Sequence, residues 1–472
     1  MKGKGRFLLV ALLVATSTSF ARDLPQPVEA ALARAGVPAS AVAVVVEPVE
    51  DGAPVLAHRA DASMNPASVM KIITSYAALE LLGPAFTFRT DFLARGELAN
   101  GILEGDLVIR GGGDPKLTHE RLWQAAHQLR SRGLREIRGD VILDRSYFAP
   151  APYDPARFDN DPRRAYNVGA DALLVNFNAI DFRFIPGADG VRIVPEPDLP
   201  NVEIVSQIQV TKAPCDSWRK DLRHEVHQNG LIATVTFSGS IAAACGERSW
   251  PLAIFDAARF TESAFRWVWS EVGGALRGRM REGATPAEAR LLYRYESEPL
   301  ANLVRDMNKF SNNVMARHIF LALSAEKTAG NGEIRASDRL VRDWLKAKGI
   351  AAPELVLENG SGLSRDSRAS AATIAAVLRS AWSSPVMPEL AASFPLLAVD
   401  GTLKNRGTGG ASGRAHLKGG TLSGVQSQAG YVLDTRGRRW IVVMIANHAN
   451  ANAAQPALDA LVEWVATRSD KR

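Results

Sequence analysis

Residues 65–82 read NPASVMKIITSYAALELL, and this stretch carries the clearest helix signal in the N-terminal part of the chain. Asn65 is a preferred N-cap, Pro66 suits the first helical position, and Gly83-Pro84 follows as a stop signal. We therefore predict a helix that begins at Pro66 and ends near residue 82, with Ser68 and Lys71 in its first turn.

Strand signals flank this helix and recur at the other end of the chain. Residues 42–46 and 54–58 place β-branched or apolar residues on both sides of a turn around Asp51-Gly52. Residues 414–422, 428–433 and 440–446 give three more strands, and 457–466 give a closing helix. Together these elements predict an α/β (α+β) domain in which an antiparallel five-stranded sheet is covered by helices.

The middle of the chain has a different sequence pattern. From about residue 88 to 250, short β-type runs are separated by Gly, Pro and Asp turns, and helical periodicity returns at 259–272, 303–323 and 371–382. We predict β-rich material inserted into the sheet-and-helix domain. The predicted boundaries are 22–87 with 296–472 for that domain, 88–165 with 251–295 for one inserted domain, and 166–250 for a second.

The first 21 residues have the pattern of an export signal. Lys2, Lys4 and Arg6 precede an apolar run at 7–15, and Ser19-Phe20-Ala21 supplies a small-x-small cleavage pattern. The apolar run is too short to cross a bilayer of ~30 Å as a helix, and no later segment has ~18 uninterrupted apolar residues. We expect export, removal of residues 1–21 and no integral membrane segment.

The charge balance argues against a nucleic-acid partner. The chain has 56 Lys and Arg against 50 Asp and Glu, a formal net charge of +6. Removing residues 1–21 takes away three basic residues and no acidic ones, so 53 minus 50 leaves +3. A surface of mixed charge explains so small an excess, although it also allows weak attraction to an anionic polymer.

Cys215 and Cys245 are the only cysteines. An even number in an exported chain, with both residues in one β-rich stretch, predicts one disulfide bond. The histidines are scattered, and His224 and His227 lack the i, i+4 spacing of a zinc-binding helix. We therefore expect neither a metal ion nor an organic cofactor.

Ser68 and Lys71 lie three residues apart, so their side chains share one face of the predicted helix. A lysine whose pKa is lowered by burial can take the proton of a serine hydroxyl, and the helix N-terminus favours the negative charge that develops there. The spacing alone is common. It recurs at Ser217 to Lys220, in a turn-rich context, and at Ser324 to Lys327, where a helix ends.

Two further polar clusters occur later in the chain. Ser311-Asn312-Asn313 precedes a helical run, where helix capping is an adequate alternative to catalysis, and another Ser-x-Asn lies at 63–65. Lys418-Gly419-Gly420-Thr421 lies in a predicted strand, where two glycines weaken the ladder unless another backbone approaches closely. An extended peptide can bind at such an edge, with the lysine near its carboxylate; a bulge with a solvated lysine is the alternative.

The order of these elements resembles a known family. S-x-x-K on an early helix, S-x-N in the centre and K-x-G-T on a late strand are similar to the penicillin-binding enzymes. The long gap after Ser68, the stretch 105–115, the segment 359–365 and Asp400-Gly401-Thr402-Leu403 narrow the resemblance to the class C low-molecular-mass penicillin-binding proteins, the D-alanyl-D-alanine carboxypeptidase/endopeptidase family. The resemblance implies a penicillin-binding/β-lactamase-like transpeptidase domain and a periplasmic enzyme.

The resemblance also implies how the reaction proceeds. Ser68 would attack the D-Ala carbonyl and form an acyl-enzyme, while Lys71 accepts its proton. Ser311 would relay protons towards the leaving group, and Asn313 would orient the substrate amide. Water would then release the shortened peptide.

Substrate contacts are implied for the late strand. Lys418 would support the proton network and attract the terminal carboxylate, and Gly419, Gly420 and Thr421 would bind the substrate. The backbone N–H groups of Ser68 and Thr421 would form the oxyanion hole. Gly419 departs from the pattern, because the family usually has Thr or Ser there. We expect a weaker grip on the carboxylate and a shift towards endopeptidase activity, unless a neighbouring side chain fills the space a threonine would need.

The resemblance implies peptidoglycan peptides as substrate, β-lactams as inhibitors and no nucleic-acid partner, and it leaves a homodimer open. Two rival functions remain: a serine β-lactamase or esterase on the same catalytic domain, and a peptidoglycan-binding protein whose catalysis is impaired through Gly419. The long insertion disfavours the first. The retained polar residues disfavour the second, because their burial is costly without a use.

Overall fold

The computed structural model describes residues 23–50, 54–407 and 409–468. The predicted export signal and the predicted turn around Asp51-Gly52 lie outside these residues. The helices are α1 Gln26–Arg34, α2 Lys71–Leu81, α3 His119–Ser131, α4 Ala257–Glu271, α5 Leu300–Lys309, α6 Asn313–Lys327, α7 Ile334–Ala347, α8 Ala371–Trp382, α9 Met387–Ser393 and α10 Gln455–Ala466.

The strands fall into an N-terminal group, a middle group and a C-terminal group. They are β1 Val42–Pro48, β2 Leu56–His58, β3 Arg89–Ala99, β4 Ile102–Gly111, β5 Glu136–Ile137, β6 Val141–Asp144, β7 Ile180–Gly187, β8 Gly190–Glu196, β9 Val202–Thr211, β10 Leu222–Asn229, β11 Ile232–Ala242, β12 Arg248–Leu252, β13 Ala275–Leu276, β14 Met280–Glu282, β15 Arg290–Glu296, β16 Ala415–Leu422, β17 Val425–Leu433 and β18 Arg439–Asn447.

A five-stranded antiparallel sheet joins the two ends of the chain. Its order is β16-β17-β18-β1-β2. Strand β1 pairs along its whole length with the last strand, from Val42 opposite Ala446 to Pro48 opposite Trp440. The prediction of one sheet built from N-terminal and C-terminal strands is confirmed.

Helices cover both faces of this sheet. Val42, Val44 and Val46 pack into a core with α1 and α10, whereas Ala43 and Val45 pack into a second core with α2, α5, α6 and α8. All five side chains are at most 3% exposed. Burial on both faces explains why β1 is a continuous apolar run and not an alternating one.

Two predicted helices are wrong in detail. The helix predicted from Pro66 is split, because the 3-10 turn Ala67–Met70 precedes α2. Ala67 has a φ of +47°, which interrupts helical geometry. The N-cap of the turn is Pro66 and not the predicted Asn65, whose Oδ1 accepts a hydrogen bond from the Ala67 N–H at 2.9 Å. The helix predicted at 303–323 is two helices, α5 and α6, because Ser311 with a φ of +56° separates them.

The chain between α2 and α5 forms three further sheets. One has seven strands, with β13-β5-β4-β3-β15 as its main path and β6 and β14 attached, and the other two are β12-β7-β8 and β10-β11-β9. All three share one hydrophobic cluster, to which Phe182, Phe237 and Trp250 contribute. The exact boundaries of the inserted domains stay a prediction.

Cys215 and Cys245 form a disulfide bond, with their Cα atoms 4.8 Å apart. The bond joins the segment between β9 and β10 to the 3-10 turn Ala243–Cys245 after β11. It therefore closes a loop inside one β-rich region, and the predicted pairing is confirmed.

Candidate active site

Ser68 lies in the 3-10 turn that enters α2, and neighbouring segments fix this turn. The Asn65 N–H donates to Asn447 Oδ1 at 2.8 Å, and Asn447 Nδ2 donates back to Asn65 O at 3.0 Å, so the end of β18 holds the turn. A Cβ on Gly362 would lie 1.9 Å from Ala67 O, so only glycine allows that loop to come so close. Ser68 itself stays partly exposed.

Lys71 is fully buried beside this serine. Its Nζ lies 3.1 Å from Ser68 Oγ and donates to Asn313 Oδ1 at 2.7 Å and to Ser361 O at 2.6 Å. A neutral amine has two N–H donors and one lone pair, and the two oxygen acceptors use both donors. The lone pair is therefore left for the Ser68 hydroxyl.

The surroundings of Lys71 favour this neutral form. Burial lowers the pKa of Lys71 well below its ordinary value, and the nearby charges of Lys418 and Arg317 lower it further. Arg317 is only 5% exposed and donates to the backbone oxygen of Val168. A buried arginine on α6 thus helps to keep the lysine able to accept a proton.

The central cluster combines a helix cap with contacts to both buried lysines. Asn312 caps α6, because its Oδ1 accepts a hydrogen bond from the Met315 N–H at 3.0 Å. The next residue, Asn313, reaches Lys71, and the preceding residue, Ser311, places its Oγ 2.8 Å from Lys418 Nζ. Capping and site formation are therefore shared among adjacent residues.

Lys418 is fully buried on β16. Its Nζ donates to Ser311 Oγ and to Gly419 O, both at 2.8 Å. Burial lowers the pKa of Lys418 to about 7. Both protonation states are therefore populated near neutral pH, which suits a group that exchanges protons with Ser311.

Gly420 allows β16 to lie directly against the Ser68 turn. A Cβ at this position would lie 2.4 Å from Ser427 Oγ and 2.8 Å from both Pro66 O and Ser68 N. The Ser427 hydroxyl also donates to Pro66 O at 2.6 Å, which ties β17 to the turn. The backbone beside Thr421 and the Ser68 N–H therefore come close together, as the predicted oxyanion hole requires.

The second half of β16 is an open sheet edge. In its first half, the Leu397 N–H donates to Ala415 O and the Leu417 N–H donates to Pro395 O, both at 2.9 Å. From Lys418 onward, β17 is the only strand paired with β16 within the described residues. An extended peptide can add to such an edge by main-chain hydrogen bonds.

Gly419 faces open space. Within the described chain, and apart from Gly419 and its two chain neighbours, the only atom within 4 Å of a Cβ at this position is Arg406 Nη1, at 4.0 Å. The φ of Gly419 lies outside the left-handed region. The structure therefore gives no steric reason for glycine here. Thr421, on the same side of the strand, is exposed and donates from Oγ1 to Gln426 Oε1 at 3.2 Å.

The three motifs line one cleft of about 720 Å³. Ser68, Ser311, Asn313, Gly419, Gly420 and Thr421 all contribute to its wall, and Lys71 and Lys418 lie beneath it. The lining residues that sequence analysis did not single out include Phe158, Tyr166, Phe310 and Arg406. Single aromatic or basic residues in loops have no periodicity or spacing that would mark them.

The two other Ser-x-x-Lys matches form no such arrangement. Among these described residues, no hydrogen bond joins the hydroxyl of Ser217 to Lys220 or that of Ser324 to Lys327. Ser324 is buried and donates to the backbone oxygens of Leu321 and Glu333 at 3.1 Å. Its hydroxyl stabilises a helix end.

His224 and His318 have structural contacts. His224 lies edge-on to Trp250 with ring centroids 5.0 Å apart. His318 is fully buried, its Nε2 accepts from the Asp171 N–H at 3.2 Å, and burial lowers its pKa to about 4. Within residues 23–50, 54–407 and 409–468, no group of three His, Cys, Asp or Glu side chains is placed to hold a metal ion.

A family model described as D-Ala-D-Ala carboxypeptidase 3 (S13) matches residues 24–468. The chain belongs to this S13 family. The predicted resemblance is thereby confirmed. S13 relatives include D-alanyl-D-alanine carboxypeptidase DacB of Haemophilus influenzae, 27% identical over 391 residues that cover 81% of this chain and 80% of the relative. A D-alanyl-D-alanine carboxypeptidase of an Actinomadura species is 29% identical over 455 residues, covering 92% and 83%.

Solved structures show the same S13 fold. Penicillin binding protein 4 (dacB) from Haemophilus influenzae matches with a TM-score of 0.75 at 23% identity, covering 92% of this chain and 99% of that one. A predatory peptidoglycan endopeptidase from Bdellovibrio bacteriovorus matches with a TM-score of 0.53 at 14% identity, covering 90% and 92%. The predicted penicillin-binding fold with inserted material is confirmed.

Proposed function

We propose that this S13 protein is a serine D-Ala-D-Ala carboxypeptidase, a D,D-endopeptidase or both, and that it cleaves peptidoglycan peptides through an acyl-enzyme on Ser68. The observation that carries the proposal is the 3.1 Å contact between Lys71 Nζ and Ser68 Oγ, in which the lysine is buried and its other two partners are oxygen acceptors. Both relatives named in the comparison are D-alanyl-D-alanine carboxypeptidases, which supports the same activity.

Acylation begins with the loss of the Ser68 proton to Lys71. The Ser68 oxygen attacks the carbonyl carbon of the penultimate D-Ala, and the carbonyl oxygen becomes an oxyanion. The N–H groups of Ser68 and Thr421 donate hydrogen bonds to this oxyanion as its charge develops. Asn313 holds Lys71 on one side and presents its amide to the substrate on the other.

Collapse of the intermediate breaks the bond to the leaving residue. The leaving nitrogen takes a proton that comes through Ser311, whose hydroxyl lies 2.8 Å from Lys418 Nζ. Lys418 suits this exchange because its pKa lies at about 7. Water then attacks the acyl-enzyme, Ser68 recovers its proton, and the shortened peptide leaves.

The open edge of β16 explains how a peptide is held during these steps. Main-chain groups of the peptide pair with the strand next to Gly419 and Thr421, which brings the scissile carbonyl over Ser68. β-Lactams acylate the same serine in this scheme. A penicillin G acylated endopeptidase from Bdellovibrio bacteriovorus that shares the fold at a TM-score of 0.51 fits this expectation.

Mass spectrometry after mixing with penicillin tests the proposal. A stable adduct on Ser68 supports a D,D-peptidase, rapid turnover without a lasting adduct indicates a β-lactamase, and no adduct indicates a binding protein without catalysis. Ser68→Ala should abolish labelling, whereas Ser217→Ala, at an exposed serine with the same Ser-x-x-Lys spacing, should label as the wild type does.

Digestion of purified peptidoglycan then identifies the bond that is cut. Loss of terminal D-Ala from pentapeptides reports carboxypeptidase activity, and conversion of cross-linked dimers to monomers reports endopeptidase activity. Inclusion of Ser68→Ala separates this activity from contaminating hydrolases.

We also propose a periplasmic location after removal of residues 1–21. No helix in the described part of the chain has the length and apolar character that crossing a bilayer needs. N-terminal sequencing of protein recovered from the periplasm tests the cleavage point. The homodimer stays open, and light scattering of the purified protein decides it.

We keep the two inserted domains, 88–165 with 251–295 and 166–250, as part of the proposal. The division of strands supports it, because the seven-stranded sheet draws on β3 to β6 and β13 to β15, while β7 to β12 form the two three-stranded sheets.

A further inference from the structure

We propose that Arg406 binds the carboxylate of the substrate's leaving residue, in place of the hydroxyl that Gly419 lacks. The inference rests on the proposed function, since it concerns the substrate of that same cleft. Arg406 is a substrate-binding residue in this proposal and takes no part in proton transfer.

The position of Arg406 is the first support. Its side chain lines the cleft together with Ser68, Ser311 and Thr421. Among the described residues other than Gly419 and its two chain neighbours, Arg406 Nη1 is the only atom within 4 Å of the place where a side chain at Gly419 would begin. Because glycine has no side chain, none at position 419 separates the guanidinium from the cleft, and a carboxylate oxygen or one bridging water can bind there.

The hydrogen bonds of Arg406 are the second support. Nη2 donates to Gln428 Oε1 at 2.7 Å and to Asp459 Oδ1 at 2.6 Å, which fixes the guanidinium plane. Nε is buried without a partner, and no hydrogen bond within the described residues uses Nη1. The only donor with access to the cleft is therefore free to bind an anion.

The loop that carries Arg406 is tied to the segment that carries Ser311. Lys309, two residues before Ser311, donates from Nζ to both carboxylate oxygens of Asp400 at 2.9 and 2.7 Å and to Phe394 O at 2.6 Å. These contacts hold the start of the loop against the end of α5. Arg406 thus keeps a defined place relative to the cleft, which limits the entropy lost when it binds a ligand.

A second cation in this cleft would bind the substrate carboxylate while Lys418 takes part in proton transfer. Lys418 already donates to Ser311 and to Gly419 O, and it is only partly protonated near neutral pH. A guanidinium stays charged at every pH at which the protein is folded. The guanidinium of Arg406 therefore favours peptides that have a free carboxylate next to the scissile nitrogen.

Kinetics with a matched pair of substrates test the assignment. An acylated tripeptide ending in D-Ala-D-Ala is compared with the same peptide carrying a C-terminal amide, and the ratio of their kcat/KM values is measured. We expect Arg406→Gln to lower this ratio roughly tenfold by slowing only the free acid, since one charge-assisted hydrogen bond is lost. Lys404→Gln removes an exposed cation from the same loop and should leave the ratio unchanged.

A rescue experiment shows whether Arg406 binds the substrate carboxylate or only stabilises β16. Adding Gly419→Thr to Arg406→Gln supplies a hydroxyl donor at the same place and should recover part of the lost ratio. An unchanged ratio in Arg406→Gln overturns the proposal, and so does a lowered ratio that Gly419→Thr leaves as it is.

Penicillin labelling of the wild type distinguishes a failure of the Arg406 assignment from a failure of the proposed function. If the wild type forms no adduct on Ser68, the proposed function fails. If it does form the adduct and Arg406→Gln keeps the wild-type ratio, only the assignment of Arg406 fails.

Discussion

Lys418 Nζ lies 2.8 Å from Ser311 Oγ, so that a buried cation on a late strand meets a hydroxyl at the boundary between two central helices. This contact joins the strand to the helix boundary, and of the two residues Ser311 also lines the cleft. Because burial of a lysine disfavours its charged form, this contact links the stability of the fold to pH.

Lys418→Met should make the free energy of unfolding less dependent on pH. Burial lowers the pKa of Lys418 from 10.5 to about 7, so between these values the unfolded chain binds more protons than the folded one. The contribution of Lys418 to stability therefore falls as the pH falls from about 10.5 to about 7. Urea unfolding at about pH 7 and pH 9 should show a larger gain at high pH for the wild type than for Lys418→Met.

The exposed Lys404 provides the control for this experiment. The free energy of unfolding of Lys404→Met should depend on pH as that of the wild type does. An equal pH dependence of the wild type and Lys418→Met would show that Lys418 keeps an ordinary pKa in the folded protein.

Lys71→Arg should lose acylation while it keeps a positive charge. A guanidinium cannot give up its proton, so it cannot act as the base, and general-base catalysis is worth about 10² to 10⁴ in rate. Stopped-flow measurement of penicillin acylation gives the rate. Lys220→Arg, in the Ser217 match, should acylate like the wild type, and acylation of Lys71→Arg within about tenfold of the wild type would refute the assignment.

Gly420→Ala should damage the site, although it adds only one methyl group. The added Cβ would meet Ser427 Oγ at 2.4 Å and Ser68 N at 2.8 Å, so β16 must move away from the turn. A misplacement of the reacting groups by about 1 Å can lower the rate about a hundredfold. Gly330→Ala is the control, because Gly330 is exposed, its φ lies outside the left-handed region and an added Cβ meets no described atom within 4 Å. Equal acylation rates in the two variants would contradict this account.

Gly419→Thr should acylate faster than the wild type. It supplies a hydroxyl donor to the carboxylate of penicillin, and such a hydrogen bond is worth roughly 1.5 kcal/mol or more, about tenfold in rate. The open space at Gly419 predicts an unchanged thermal melt. Slower acylation with a lowered melting temperature would show that the threonine strains the strand.

Unfolded, unreduced protein should have no free thiol, because Cys215 and Cys245 are bridged. With a sequence separation of 30, loss of the bond should cost about 3 to 4 kcal/mol of unfolding free energy by the chain-entropy estimate. Replacing both cysteines with serine should therefore lower stability and leave penicillin acylation unchanged. Two reactive thiols per chain in the titration would refute the bridge.

The sequence was sufficient for the central sheet and for the motif residues. The apolar run of β1 and the strands around Lys418 have period and composition signals, and the order of the three motifs depends on residue types alone. The turn at Ala67 could not be predicted, since its φ of +47° is imposed by contacts with Gly362 and Asn447 that are distant in sequence.

Other parts of the site depend on tertiary contacts that leave no local pattern. Arg317 lies inside an ordinary helical run, and its effect on Lys71 follows only from burial beside it. Arg406 lies in a loop after a 3-10 turn and reaches Gly419 because Asp459 and Gln428 hold it there. The sequence showed that residue 419 has no hydroxyl, but it did not show that Arg406 lies close to Gly419.

The hydrogen bond from Ser427 to Pro66 joins residues 361 positions apart, and β1 is paired with the last strand of the chain. A growing chain therefore has only the short strand β2 to pair with β1, and it lacks the contacts of Ser427 and Asn447 with the Ser68 turn, until nearly all of it has been synthesised. Contacts between such distant residues form late, because a large loop must close first. The cleft is therefore a late product of folding, because its walls need strands from both ends of the polypeptide.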